Sequence, residues 1–212
     1  MSVPDWVRDT RVSYDTVAVS YADMLRDALA GDAFQRGILG LFVEVLRSRP
    51  AGPVADVGCG PGRISGFLRE RGVEVFGVDV SPGMVAVARR EHPGIRFEVG
   101  SMTGLDLADG SVAGVLAWFS LIHVPDGEVP GVLAEFRRVL RPGGALLVGF
   151  HAGDGSRVKT EGYGGHPMNV VVHRRPVARV SQWLREAGFS VEAELWHRPE
   201  PAVEGAFVFA NR

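Results

Sequence analysis

The sequence predicts an α/β fold in which a doubly wound, mostly parallel sheet carries helices on both faces. Two observations lead to this prediction. From residue 54 onward, short apolar runs alternate with segments whose apolar residues recur every three to four positions, a pattern typical of parallel sheets. The first apolar run leads directly into a glycine-rich turn over 58–62, and ligands of open α/β sheets bind at the carboxyl ends of such strands.

Two helical patterns precede the sheet. Apolar residues repeat at helical spacing over 14–28, and Ser13 is the expected N-cap. A second helix is expected to begin after Asp32 and to end before Pro50. Residues 1–50 are therefore expected to form a helical lid.

The remaining residues, 51–212, are expected to form the ligand-binding part of the same structural domain, with seven strands and an antiparallel last strand. Short links join the last two strands, which predicts that they are antiparallel neighbours. The Gly-rich segment Ala152–Pro167 is too long for an ordinary connection and is expected to be a working loop, followed by a short apolar run over Asn169–Val172. The strands are expected at 54–57, 73–80, 95–99, 112–120, 145–150, 191–196 and 206–210, and the helices at 63–71, 82–91, 128–140 and 177–187.

Composition excludes several classes of protein. The chain has 25 acidic and 23 basic residues, a net charge of −2, which argues against nucleic-acid binding and against a polybasic membrane patch. Its single cysteine, Cys59, leaves no intramolecular disulfide and no cysteine-based zinc site. The sequence has no apolar stretch of membrane-spanning length and no signal-peptide pattern, so a cytoplasmic location is expected. Arginine supplies nearly all of the basic residues, which suggests a GC-rich bacterial source.

The glycine-rich turn carries two candidate ligand-binding carboxylates. Its spacing is G-x-G-x-G, whereas the dinucleotide fingerprint is G-x-G-x-x-G. Asp56, two residues before Gly58, would face a pyrophosphate with like charge but suits a ligand that carries an ammonium group. Asp79, at the end of the second strand, suits the hydroxyls of a ribose. Asp79 suits either ligand, but the glycine spacing and Asp56 favour S-adenosyl-L-methionine over a nicotinamide dinucleotide.

Three segments together resemble the class I S-adenosylmethionine-dependent methyltransferases. They are Val54–Gly62, Val75–Met84 and Leu140–Gly144, and the resemblance covers roughly Val54–Phe150. It implies a Rossmann-like sheet, S-adenosylmethionine as cofactor, and methyl transfer to an oxygen, nitrogen or carbon nucleophile of a small molecule.

The resemblance also implies roles for residues at matching positions. Asp56 and the glycine-turn backbone would hold the methionyl end, Asp79 would accept both ribose hydroxyls, and Val80 and Met84 would sandwich the adenine. Many family members carry Asp where Ser101 stands, and a serine accepts from the adenine amino group only weakly. The expected cofactor-binding residues are Tyr14, Tyr21, Asp56, Gly58, Cys59, Gly60, Gly62, Arg63, Asp79, Val80, Met84, Ser101, Met102 and Trp118.

Candidates for a general base follow the fourth and fifth strands. His123 is the leading candidate and His151 the second, although His123 is also compatible with bracing the next helix. Tyr14 and Tyr21 lie seven residues apart on one helical face, where they either pack or reach the cofactor carboxylate. Trp118 either lines the pocket or belongs to the core. No spacing typical of metal ligands stands out.

The predicted function is a small-molecule methyltransferase that acts as a monomer or homodimer, with no nucleic-acid or membrane partner. Nucleic-acid substrates are also disfavoured because Trp118–Leu121 stands where an Asn/Asp-Pro-Pro-aromatic motif would follow the fourth strand. A nicotinamide-dependent oxidoreductase is the alternative enzyme. A cofactor-binding module that has lost catalysis and works through a partner is the alternative without enzymatic activity.

Overall fold

The computed structural model describes residues 3–200 and 203–212. Its helices are α1 (Asp5–Leu25), α2 (Ala28–Gly31), α3 (Ala33–Arg47), α4 (Arg63–Glu70), α5 (Pro82–Glu91), α6 (Val129–Val139) and α7 (Val177–Glu186), with a 3₁₀ turn at Leu121–His123. Its strands are β1 (Val54–Val57), β2 (Val75–Asp79), β3 (Arg96–Val99), β4 (Val112–Trp118), β5 (Leu140–His151), β6 (Ser156–Gly162), β7 (His166–His173), β8 (Ser190–Glu200) and β9 (Val203–Asn211).

Seven of these strands form one sheet in the order β3-β2-β1-β4-β5-β9-β8. Strands β1 to β5 pair in parallel, whereas β9 is antiparallel to both of its neighbours, β5 and β8. This arrangement confirms the predicted seven-stranded sheet with an antiparallel last strand. The chain order reverses between β1 and β4, so the carboxyl ends of these strands open at the point where ligands of such sheets bind.

The sheet is buried on both faces. On one face, an apolar cluster joins α6 and α7 to strand residues such as Ala55 and Val57. On the other face, a second cluster joins α3, α4 and α5 to strand residues such as Val54. Burial on both faces explains why the parallel strands are continuous apolar runs. The predicted caps of α3 and α5 are also present, because Asp32 accepts from the Gln35 N–H and Ser81 accepts from the Met84 N–H.

The first helix begins earlier than predicted. It starts at Asp5, so Ser13 is an interior residue and not the N-cap. Ser13 is 2% exposed, and its hydroxyl accepts a hydrogen bond from the Asn169 N–H of β7 at 2.8 Å. The Ser13 hydroxyl, which suggested the start of a helix, therefore bonds to β7 instead. The local sequence pattern does not reveal this tertiary contact.

The predicted loop over Ala152–Pro167 is also wrong in part. It contributes β6 and the start of β7, which form a two-stranded antiparallel hairpin outside the main sheet. Side chains of β7 alternate, with Met168, Val170 and Val172 buried. The first two contact α1 and α5 in one small apolar cluster, so the hairpin holds α1 against the body of the protein. Within the described residues, no helix has the length and hydropathy that crossing a membrane requires.

Candidate active site

Two cavities lie beneath α1 at the carboxyl ends of the strands. The narrow cavity has a volume of about 40 Å³ and is lined by Trp6, Val7 and Thr10 of α1 together with residues that follow β1, β2 and β3. The wide cavity has a volume of about 380 Å³ and is lined by Tyr14 and Tyr21 of α1 together with residues that follow β4 and β5. One helix therefore covers both cavities.

The glycine turn between β1 and α4 has a backbone that only glycine adopts without strain. Gly58, Gly60 and Gly62 have φ values of +75°, +54° and +81°. At Gly58 a side chain is also excluded by space, because a Cβ atom would lie 2.2 Å from Cβ of Ser120. The turn thus brings the backbone close to its neighbours and to the narrow cavity, which Gly58 lines.

Asp56 of β1 is a buried carboxylate with one free oxygen. It is 1% exposed, and its Oδ2 accepts a hydrogen bond from the Ser65 hydroxyl at 2.6 Å. Its Oδ1 is buried and has no hydrogen-bond partner among the described residues. Burial raises the pKa of Asp56 to about 7, an effect that the Ser65 hydrogen bond opposes and the charge of Asp79 reinforces.

Asp79 and Arg63 carry the other charges near the turn. Asp79 lines the narrow cavity and accepts hydrogen bonds from the Gly60 N–H at 2.8 Å and the Ser81 N–H at 2.9 Å. Burial raises the pKa of Asp79, and these N–H donors oppose the rise. Arg63 lines the wide cavity, and its Nη1 is buried without a partner in the part of the chain that the structure describes. Burial lowers the pKa of Arg63.

The structure brings some of the predicted adenine contacts together and leaves others apart. Val80, Ser101 and Met102 line the narrow cavity with Asp79. The Ser101 hydroxyl is engaged locally, in a hydrogen bond of 2.8 Å with the Thr103 hydroxyl. Met84 is 1% exposed and packs in the core between α1, α5 and β7, so it does not line the cavity. Cys59 is likewise a buried core residue.

Aromatic side chains form much of the wide cavity. Trp118 ends β4 and Phe119 follows it, Tyr163 lies in the turn of the hairpin, and Phe207 comes from β9. Of these four residues, only Trp118 was expected from the sequence. Phe207 reaches the cavity through the antiparallel pairing of β9 with β5, and the placement of Phe119 and Tyr163 depends on unusual backbone angles, φ 52° and 51°. Further residues absent from the predicted set are Ile122, His197, Glu204 and Gly205.

His123 lies behind the cavity wall and joins three elements. It is 7% exposed; its Nδ1 lies 2.9 Å from the Val171 carbonyl oxygen, and its Nε2 lies 2.8 Å from the Tyr14 hydroxyl. Because a carbonyl only accepts, Nδ1 carries the hydrogen and Nε2 accepts from Tyr14. Burial lowers the pKa of His123 to about 4, so the ring is neutral. The geometry is that of a brace between α1, the 3₁₀ turn and β7.

His151, the second candidate base, lines the wide cavity directly. It ends β5, and its ring centroid lies 5.1 Å from that of Phe119. Burial lowers the pKa of His151, and the positive charges of Arg174, Arg157 and Lys159 lower it further. A neutral imidazole in this position is able to accept a proton. Among the described residues, no group of three or more acidic, histidine or cysteine side chains is arranged to hold a metal ion.

Comparisons with known proteins agree with this fold. Residues 54–144 match the family model of a methyltransferase domain. A demethylmenaquinone methyltransferase of Beutenbergia cavernae is 38% identical over 143 residues, which are 66% of this chain and 57% of that protein. The first curated relatives are matched over 52–57% of their length, so the chain spans about half of them.

Two solved structures have the same fold along the whole chain. Magnesium protoporphyrin IX methyltransferase of Synechocystis PCC 6803 superimposes with a TM-score of 0.73 and 19% identity, covering 100% of this chain and 99% of its own. The 1,6-didemethyltoxoflavin-N1-methyltransferase of Burkholderia thailandensis gives a TM-score of 0.72 and 22% identity, covering 100% and 91%.

The strand order is that of a Rossmann-like methyltransferase fold, and the glycine turn and its carboxylates lie at the carboxyl ends of the strands, where ligands of such sheets bind. The match of residues 54–144 to the family model of a methyltransferase domain agrees with the resemblance found in the sequence.

Proposed function

We propose that this protein uses S-adenosylmethionine to methylate an oxygen, nitrogen or carbon nucleophile of a small molecule. The observation that supports the proposal most strongly is a pair of oppositely charged side chains near the glycine turn, each with a buried atom that has no partner among the described residues. They are Oδ1 of Asp56 and Nη1 of Arg63. Buried polar atoms are normally hydrogen-bonded, and a carboxylate beside a guanidinium suits the ammonium and carboxylate of an amino acid.

The other residues at the turn suit the rest of the cofactor. Asp79 would accept hydrogen bonds from the ribose hydroxyls. The adenine would lie among Val80, Ser101 and Met102, which line the narrow cavity together with Asp79. When bound, S-adenosylmethionine supplies a methyl group on a positively charged sulfur. Nearby aromatic rings such as Tyr14 and Trp118 favour a cation and exclude water.

The acceptor would bind in the wide cavity. His151 is the cavity-lining group suited to take up the acceptor's proton, because its neutral ring is favoured by burial. We assign His123 a positioning role, since its two ring nitrogens already bond to Val171 and Tyr14. The role of Tyr14 is then to orient groups in the cavity while it remains bonded to His123.

Residues 1–50, and α1 above all, are proposed to act as a lid. The narrow cavity has a volume of about 40 Å³, far below the roughly 300–1,000 Å³ of ordinary ligand sites. Seating a nucleoside there requires α1 to move. Asp15 of α1 accepts hydrogen bonds from the Ser81 hydroxyl at 2.6 Å and the Gly83 N–H at 2.8 Å, which would hold the lid on the start of α5.

Titration calorimetry with S-adenosylhomocysteine tests this function. We expect binding by the wild-type protein and a loss of about 10–100-fold in affinity for Asp79→Ala, because charge-assisted hydrogen bonds to the ribose would be lost. Glu74→Ala is the matched control, since Glu74 is an exposed carboxylate just before β2, at the opposite end of the strand from Asp79. We expect it to leave the affinity unchanged.

Two outcomes would contradict the proposal. One is tight binding of NAD or NADP without binding of S-adenosylhomocysteine. The other is an Asp79→Ala variant that is folded and binds as tightly as wild type, which would make Asp79 only a structural partner of Gly60 and Ser81. A cytoplasmic location and a monomeric or homodimeric state remain predictions from the sequence.

A further inference from the structure

The wide cavity is far richer in aromatic side chains than the chain as a whole. Six of its sixteen lining residues are Trp, Tyr or Phe, whereas these types make up 8% of the sequence. All three tyrosines of the chain are among them. The composition of the chain alone therefore does not account for the aromatic content of the cavity lining. The six are Tyr14, Tyr21, Trp118, Phe119, Tyr163 and Phe207.

Two of these rings are held by strained backbone. Of the non-glycine residues that the structure describes, Phe119 and Tyr163 are the two with positive φ, at 52° and 51°. Bulky residues rarely adopt this conformation, and strain of this kind concentrates at ligand-binding sites. Both residues line the same cavity although they belong to different elements. This coincidence indicates that the placement of the two rings matters to what the cavity binds.

The rings also hold each other in fixed orientations. Phe119 lies edge-on to Trp118 at 5.7 Å and to Phe207 at 5.8 Å between centroids. Tyr163 lies 4.6 Å from Tyr21, and Lys159 Nζ lies 3.7 Å from the centre of the Tyr163 ring. Rings fixed in this way lose little side-chain freedom when a ligand binds, and they favour offset or edge-on contact with another ring.

The polar part of the cavity favours an acceptor with an acidic proton. His151 is the neutral base in the wall, and Arg157, Lys159 and Arg174 place positive charge near it from outside the lining. Of the charged residues in the lining, Arg63 is basic, Asp32 caps α3 and Glu204 pairs with Arg198. Positive charge stabilises an oxygen that becomes anionic as its proton leaves. A hydroxyl on an aromatic ring has such a proton and such an oxygen.

We propose that the wide cavity takes a planar aromatic acceptor that carries a hydroxyl group, and that Phe119 and Tyr163 select it by ring contact. This inference rests on the proposed function. The hydroxyl proton passes to an imidazole nitrogen of His151. The hydroxyl oxygen forms its bond to the methyl carbon as the carbon–sulfur bond breaks, with the electron pair of that bond remaining on sulfur.

Calorimetry with two probes of the same skeleton tests the selection. The probes are 2-naphthol and its saturated counterpart 2-decalol, each titrated into protein saturated with S-adenosylhomocysteine. We expect 2-naphthol to bind at least about tenfold more tightly. Phe119→Leu and Tyr163→Leu should each lower the affinity for 2-naphthol by about 2–10-fold and leave the affinity for 2-decalol unchanged. Trp196→Leu is the control, because Trp196 is an exposed ring on β8 that lies outside the cavity lining.

Equal affinity for the two probes, or no binding of either at millimolar concentration, would overturn the inference while S-adenosylhomocysteine still binds. A failure of S-adenosylhomocysteine itself to bind would instead overturn the proposed function and this inference with it. Melting curves identify variants that do not fold. Should Phe119→Leu fail to fold, Tyr163→Leu in the half-buried hairpin turn carries the same test.

Discussion

Asp56 is the residue whose burial conflicts most directly with its proposed role, because burial favours the protonated form and binding of an ammonium group requires the ionised form. It is 1% exposed and burial raises its pKa to about 7, yet only its ionised form pairs with an ammonium group. Without a ligand, the protonated form is therefore well populated at neutral pH. Binding of an ammonium compound must drive the proton off, which links affinity to pH.

We expect the affinity for S-adenosylhomocysteine to rise with pH below about 7, by up to about tenfold per unit, and to level off above it. The sign follows because protonated Asp56 dominates on the acid side. Calorimetry over a pH series measures the profile. Asp56→Asn should bind more weakly at high pH and show a flatter profile, whereas Glu74→Gln should behave as wild type. Parallel profiles for wild type and Asp56→Asn would contradict the role of Asp56.

Sequence analysis is effective for residues tied to a strand end. Asp56 and Asp79 were selected because they lie near the carboxyl ends of neighbouring parallel strands, and Val80 because of the family resemblance. Asp79 and Val80 line the narrow cavity. Met84 shows where this reasoning stops. Met84 lies on a face of α5 that α1 and β7 cover and bury. No local pattern in the sequence reveals which element will cover a helix face.

At the scale of elements, the Tyr14–His123–Val171 contacts tie α1 to the rest of the site. Each hydrogen bond joins a different pair of elements, so loss of the imidazole loosens α1 and β7 together. Exposed hydrogen bonds contribute little to the free energy of unfolding, but His123 is buried. Removing its imidazole leaves a buried hydrogen-bonding group without a partner.

We expect His123→Ala to lower the melting temperature by roughly 4–10 °C, from a loss of about 2–3 kcal/mol in a chain of this size. Tyr14→Phe removes only the hydroxyl and should have a smaller effect. Melting and single-turnover rate are measured on the same samples. An unchanged melting temperature with a large loss of rate per folded molecule would show that His123 acts as the base and not as a brace.

The elements that sequence analysis described incorrectly are those whose form depends on tertiary contacts. Strand β6 is mostly polar and largely exposed, with Val158 as its one large apolar residue, so it has no apolar alternation to identify it. It becomes a strand by pairing with β7. The start of α1 was placed at Ser13 because a serine there resembles a cap. The helix continues to Asp5 because its first turns, including Val7 and Thr10, are buried.

For the molecule as a whole, two buried groups make opposite contributions to acid stability. His123 has its pKa lowered from 6.5 to about 4, so the unfolded chain takes up its proton first and stability falls as the pH falls between these values. Asp56 has its pKa raised from 3.8 to about 7, so the folded state holds more protons and stability rises on acidification over most of that range. The total pH profile therefore does not isolate either group.

A comparison of wild type with His123→Gln isolates the histidine. We expect wild type to be the more stable protein above about pH 7, and the difference to shrink by up to roughly 3 kcal/mol as the pH falls from 6.5 to 4. Denaturant unfolding at a series of pH values measures it. A difference that stays constant over this range would mean that His123 is not buried in its neutral form.

The architecture of the whole molecule was the most predictable level. Alternating apolar runs and helical segments predicted a mostly parallel sheet with helices on both faces, because strands that alternate with helices pair in parallel. The wide cavity was less predictable. Gly205 and Phe207 enter it only because β9 runs antiparallel beside β5, and the sequence does not encode that register locally.

The position of α1 over both cavities has a consequence for how two ligands influence each other. With α1 acting as the proposed lid, a molecule that occupies the narrow cavity and one that occupies the wide cavity stabilise the same closed position of one helix. The second to arrive then meets a helix that is already ordered. Such heterotropic cooperativity is reciprocal, so the acceptor would raise the affinity for the cofactor by the same factor as the cofactor raises the affinity for the acceptor.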